Sequence, residues 1–403
     1  MKKLALLSVS IPLSLALVAG SLGACSVTTR AQFDDAGTEV DPNNPANGDS
    51  GSLFGDVSLD DSGNPNGPCA PSANNAEIAG NNCDDDGDGT VDNPPTCDDA
   101  ITPGAATADD FAKALGICAT AAKDGYGVVK AEVTRGYGSS QAPNVGQTGV
   151  LTKFGNVIKP REGKKLAVLS TGYASEYDSP GGANVNFNPG KEWGYSGALP
   201  SGFPKAASGC PQAPDTNDVV NLKLTLKAPK NASGVRFDFN FYSSEWPAFI
   251  CSEFNDGFIA YLTAKGFNGG KGDNMSFDSK KNPVSVNNGF FDRCTPSVDI
   301  GCAPGAVPGT STCPGGVDEL RGTGFGVDGK WCDQGPFGGG QKTSTNGGAT
   351  GWLTSSAPVQ AGEEFTLEFM VWDTGDSALD SLVLIDNFKW AEGEVTVITD
   401  RPR

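Results

Sequence analysis

The chain has 403 residues and carries 48 acidic against 29 basic side chains, a formal charge of −19. That length suits one large or two ordinary domains, and the charge argues against nucleic acid as a partner, because no basic stripe exists to neutralise phosphates. Histidine is absent, which removes Ser-His-Asp and Cys-His catalysis and the usual His-ligated zinc hydrolases, leaving carboxylates, Lys, Tyr or a calcium ion for any chemistry.

Lys2 and Lys3 open the chain with a positive segment, and residues 4–21 form a mostly apolar run with small residues near its end. That is the layout of a secretory signal. A membrane-spanning helix is the alternative, since the run is nearly long enough, but Ser8, Ser10, Pro12 and Ser14 weaken it. Leu22-Gly23-Ala24-Cys25 then resembles the lipobox of bacterial lipoproteins. The resemblance implies removal of residues 1–24 and a diacylglyceryl group on the Cys25 sulfur. Two or three acyl chains, at about 0.8 kcal/mol per buried CH₂, anchor a protein stably to a membrane. Ser26 after the Cys implies, by the same resemblance, an outer-membrane or cell-surface address. Residues 25–68 follow as a tether, rich in Gly, Pro, Asn and Asp with few large apolar residues, a composition that cannot bury enough surface to offset its ordering entropy.

Eleven cysteines are present; with Cys25 lipidated, ten remain: Cys69, Cys83, Cys97, Cys118, Cys210, Cys251, Cys294, Cys302, Cys313 and Cys332. An even number in an exported chain reads as disulfides, with about 945 connectivities open. Cys294, Cys302, Cys313 and Cys332 crowd one Gly/Pro-rich stretch and are expected to staple it.

Residues 69–97 form a small Cys- and Asp-rich unit. Within it, Asp84, Asp86, Asp88 and Gly89 match positions 1, 3, 5 and 6 of an EF-hand loop, which place carboxylates around one point for a hard cation. Asp92 offers a late ligand at position nine, but Pro95 stands where the bidentate Glu is expected. The unit resembles the Asp-rich calcium loops of thrombospondin type 3 repeats and the Cys/Asp metal-binding repeats of secreted myxobacterial proteins. Calcium is the expected cofactor, bound weakly, at about 10⁻⁴–10⁻³ M, to stiffen the tether. A solvated acidic turn is the plainer alternative.

Beyond it, Thr107-Ala108-Asp109-Asp110 has the form of a capping box with Asp for Glu, and Phe111, Ala114, Leu115 and Cys118 recur at helical spacing, predicting a helix over 107–119. The period then changes to two. Val235, Phe237, Phe239 and Phe241 alternate with Arg236, Asp238, Asn240 and Tyr242, and Phe365, Leu367, Phe369 and Val371 repeat the pattern. Further strands are expected over 127–135, 165–171, 256–264, 274–278, 283–287 and 380–390, with long loops at 174–217 and 289–350. Many short strands between Gly/Asn/Pro turns predict a mainly β fold. The expected domain, over 98–395, is a disulfide-stapled β-sandwich or jelly roll with one short N-terminal helix; residues 396–403 form a tail.

Three segments carry the second constellation: Ser243-Ser244-Glu245-Trp246-Pro247, Phe254-Asn255-Asp256-Gly257-Phe258, and Asp373-Thr-Gly-Asp376-Ser-Ala-Leu379-Asp380-Ser381-Leu-Val383-Leu-Ile385-Asp386. Their order and wording resemble the choice-of-anchor L domain of bacterial surface proteins, in which SEEYP, FNDxF and D-x-x-LDS-x-V-x-I-D segments recur. Here Trp246 stands for the usual Tyr and one acidic residue is missing. The resemblance spans roughly residues 100–393 and implies surface display and a β-rich fold, with no established activity.

Glu245, Asp256, Asp373, Asp376 and Asp380 all fall at strand ends, where a sandwich rim can gather carboxylates around a structural calcium. Two other readings stay open. Asn255-Asp256-Gly257 and Asp373-Thr374-Gly375-Asp376 are good turn formers without an ion, and Glu245 with Asp376 or Asp380 could form a glycosidase pair. Trp193, Tyr195, Trp246, Trp331, Trp352, Trp372 and Trp390 invite a sugar-platform reading, against which stands ordinary core and loop packing. The expected function is a lipid-anchored, non-catalytic binding or adhesion module for a glycan, matrix polymer or surface protein. The alternatives are a polysaccharide hydrolase and a structural coat component.

Overall fold

The computed structural model describes residues 71–104, 106–176, 190–326, 332 and 347–402. The expected signal segment, Cys25, the tether, Cys69 and Trp331 lie outside them. Among the described residues no helix is long and apolar enough to cross a membrane.

The chain enters the domain through α1 (Ala108–Ala114). The capping box forms as read: the Thr107 hydroxyl accepts the Asp110 N–H at 3.3 Å, and the Asp110 carboxylate accepts the Thr107 N–H at 3.0 Å. The helix stops earlier than residue 119 because Gly116 takes φ +90°, and the N–H groups of Gly116 and Ile117 bond back to Lys113 and Ala112, closing a Schellman motif. One further turn, α2 (Ala121–Asp124), follows.

The strands in chain order are β1 (Gly127–Thr134), β2 (Thr148–Leu151), β3 (Leu166–Ser170), β4 (Thr216–Lys227), β5 (Gly234–Ser243) and β6 (Gly257–Thr263). Five two-residue strands come next: β7 (Asp273–Asn274), β8 (Val284–Ser285), β9 (Asp299–Ile300), β10 (Gly309–Thr310) and β11 (Gly348–Ala349). The last four are β12 (Leu353–Pro358), β13 (Glu364–Thr374), β14 (Ser381–Ala391) and β15 (Ile398–Asp400). One sheet runs β1–β4–β13–β6–β7 with β8 also on β6; the other runs β15–β12–β5–β14–β3–β2 with β11 also on β5; β9 and β10 pair apart. Every pairing between these strands is antiparallel.

The inner faces meet where the alternation places them. Phe237 packs on Phe369 and Phe239 on Phe258, with ring centroids 4.9 Å apart in each pair, so the fold is the expected sandwich. The opposite face of β5 is not the solvent face that its polar residues suggest. Asp238, Asn240 and Tyr242 are buried as well, because Phe154, Ile158, Leu320 and Phe325 form a second apolar cluster over Tyr242, Leu382 and Leu384. Asp238 accepts Arg161 Nε at 3.0 Å and Asn387 Nδ2 at 2.9 Å, which satisfies a charge removed from water.

The expected strands at 274–278 and 283–287 shrink to β7 and β8, because Asp278 turns the chain back by accepting the N–H groups of Lys280 and Asn282. Conversely, β4 occupies the end of the expected 174–217 loop and continues past it, burying Val220, Leu222, Leu224 and Leu226. Disulfides join Cys97–Cys118, Cys210–Cys251, Cys294–Cys313 and Cys302–Cys332, so the crowded quartet pairs within itself. Cys83 is disulfide-bonded too.

Candidate functional site

Strand pairing alone brings the three sequence motifs together. Ser243 at the end of β5 lies opposite Ser381 at the start of β14, and Gly257 at the start of β6 lies opposite Trp372 near the end of β13. Thr374 lies opposite Thr216, and Leu382 opposite Ser170. Two of the chain's crossings between the sheets, β5 to β6 and β13 to β14, therefore occur at one end of the sandwich. Glu245, Asp256, Asp373 and Asp380 lie in or beside those crossings.

All four are sealed from solvent, with exposures of 2 %, 0 %, 1 % and 0 %. Asp256 is held by Thr374 N–H at 2.9 Å and the Ser381 hydroxyl at 2.8 Å. Asp380 accepts Lys191 N–H at 2.8 Å, and its own carbonyl accepts Ser244 N–H at 3.1 Å. By contrast, neither Asp373 oxygen has a hydrogen-bond donor, nor does Glu245 Oε2. The charges facing these groups are negative: Asp256 and Asp376 for Glu245, Asp256 and Asp380 for Asp373. Burial first, and these like charges second, push the Glu245 and Asp373 carboxyls well above the ordinary carboxylate range, and burial pushes Asp256 up to about 7. Asp376 differs from the rest. It is exposed, and its Oδ1 accepts Ala378 N–H at 3.0 Å, which is turn chemistry. Asp386, which closes the third motif, lies away from this end and accepts Arg161 and Glu162 N–H groups.

Asp218, which the sequence reading did not single out, adjoins the cluster from β4. Its carboxylate accepts the N–H groups of Trp193, Gly194 and Tyr195 at 2.9, 3.3 and 3.1 Å. The alternation of β4 was the available signal for it.

The Asp-rich unit is built differently. Asp84 accepts from Gly87, Asp88 and Gly89 N–H groups, wrapping the loop around its own carboxylate. Glu77, Asp84 and Asp86 each present an oxygen within 4.8 Å of the others, a spacing that can hold a metal ion. Asp88 and Asp92 are not in that group: Asp88 accepts from Thr90 and Asn93, and Asp92 from Gly80 and Asn82. Glu77 precedes the loop and carried no spacing signal. It reaches the loop by accepting Asp85, Asp86 and Asp92 N–H groups.

Among the described residues, the aromatic side chains of this set pack rather than form a platform. Trp246 is buried against Val286, Cys294 and Cys313, and Trp372 and Trp390 are buried. Trp352 packs on the outer apolar cluster. Trp193 is half-buried with its Nε1 donating to Gly172 at 3.0 Å, while the Tyr195 hydroxyl donates to the Val219 carbonyl at 2.8 Å. A cleft of about 430 Å³ opens elsewhere, lined by Phe203, Phe267, Phe277 and Lys281.

The model of the choice-of-anchor L domain family matches residues 137–389. No curated protein and no solved structure matches the chain.

Proposed function

The chain belongs to the choice-of-anchor L domain family, a family of cell-surface-associated proteins, and from that premise we propose a lipid-anchored bacterial surface protein whose sandwich binds or adheres without catalysis. Acyl chains on Cys25 hold it in the outer membrane or at the cell surface, the tether carries the domain outward, and the ligand is a glycan, matrix polymer or surface protein. The observation that supports binding over hydrolysis is burial. A glycosidase acid and its partner must reach the scissile bond from either side of a sugar ring, whereas Glu245 and Asp380 are 2 % and 0 % exposed.

Calcium held by Glu77, Asp84 and Asp86 would stiffen the unit that precedes the sandwich. Three half-buried carboxylates converging with the loop N–H groups turned toward Asp84 support this. The fit is that of a hard cation, which takes oxygen ligands at short range.

The test uses the full lipidated chain, applied in detergent to arrays of glycans and bacterial matrix polymers with calcium and with EDTA. Retention without product release is expected. Release of product that Glu245→Gln abolishes would overturn the non-catalytic reading. In cells, Cys25→Ser is expected to move the protein out of the membrane fraction, and unchanged fractionation would sink the lipid anchor.

A further inference from the structure

We propose that the motif end of the sandwich holds a second, buried calcium ion between Asp373 and Asp256. The inference stands apart from the adhesion reading and from the Asp-rich loop.

Asp373 is 1 % exposed, yet neither of its carboxylate oxygens meets a donor. Buried carboxylates are otherwise satisfied by N–H or O–H groups, and one without them needs a counter-charge. Two oxygen groups stand beside it. Asp256 reaches this point by accepting the N–H of the next residue, Thr374, at 2.9 Å, and the Thr171 hydroxyl meets the same crossing by accepting Ser381 N–H at 2.9 Å. With Asp256 ionised neither donates to it, since the Thr171 hydroxyl donates to Ser381 O at 3.3 Å. Asp373 therefore faces oxygen on both sides. Asp256 takes one hydrogen bond on each oxygen, which leaves lone pairs for a cation.

The chemistry of the set selects the ion. The chain has no histidine, and the described cysteines are all in disulfides, so soft and borderline metals lack ligands here. A shell of two carboxylates and neutral oxygens, fixed by strand ends in irregular geometry, suits calcium better than magnesium, which demands near-octahedral order. Among the described residues only Glu77, Asp84 and Asp86 bring three acidic oxygens within 4.8 Å of one another. The buried ion accordingly takes two carboxylates directly, with Thr171 Oγ1 as a neutral neighbour, while Glu245 and Asp380 contribute negative potential from the flanks. Such an ion would join the ends of β13, β3 and the start of β6, which no covalent bond connects.

A proton shared between Asp373 and Asp256 is the competing way to remove the charge, and the test separates the two. The full chain is prepared with Asp84→Asn and Asp86→Asn, which disables the loop site, and its thermal midpoint is measured in EGTA and in millimolar calcium. Calcium is expected to raise the midpoint of this background, and adding Asp373→Asn is expected to abolish the rise while leaving the midpoint in EGTA equal or higher. Equilibrium dialysis of the same background should recover one calcium per chain, a measurement that does not depend on the third substitution folding. No calcium response and no bound calcium in that background would overturn the buried site while leaving the loop site standing. A response that Asp373→Asn leaves intact would overturn it too.

Discussion

Asp110 shows how much a single short side chain can determine. Its carboxylate accepts both the hydroxyl and the N–H of Thr107, at 2.7 and 3.0 Å, and the Thr107 hydroxyl is the main reason that its carboxyl sits below the ordinary range. A group whose folded-state value is depressed stabilises the fold above its unfolded value, and that contribution is lost as pH falls below it. Thr107→Ala should therefore cost about 1 kcal/mol at neutral pH. In denaturant titrations the gap between the variant and the parent should narrow as pH drops below about 4, the ordinary range of an Asp carboxyl. The box was legible from Thr107 and Asp110 alone because a cap is a four-residue event. Glu77 was not legible, since it acts on backbone that is distant along the chain, and the alternation that marks Asp218 begins inside a stretch that reads as loop.

At the scale of elements, Gly257 is a tightly constrained position of the motif end. It opens β6 opposite Trp372, and a Cβ there would meet the indole at 2.5 Å. Gly257→Ala should destabilise the protein by about 1–3 kcal/mol through overpacking. Trp372→Phe in the same chain should return part of that loss, so a double-mutant cycle with no coupling would refute the contact as its cause. The strands with phenylalanine-rich alternation, β5 and β13, were readable because every second residue enters one core. Segment β4 has the same alternation in Val220, Leu222, Leu224 and Leu226, but it begins inside a stretch whose glycines and prolines read as loop. The short strands β7 and β8 erred the other way: their composition is strand-like, and the turn at Asp278 ends them.

For the whole molecule, covalent links bind the motif end to its surroundings. Cys210–Cys251 spans 41 residues and ties the segment before β4 to the crossing between β5 and β6. Replacing both cysteines with Ala should cost about 2–4 kcal/mol, chiefly by freeing the unfolded chain, and an unchanged unfolding midpoint would count against it. By itself the sequence determined the β class, the cap of α1, the inward faces of β5 and β13 and the acidic character of both carboxylate groups, because periodicity, local hydrogen bonding and charge are written in neighbouring residues. Only the tertiary structure decided which carboxylates meet. It set Glu77 beside Asp84 and Asp86, left Asp376 in solvent, and buried Asp373 against Asp256, because strand register and the β5–β6 and β13–β14 crossings join residues that are far apart in the chain.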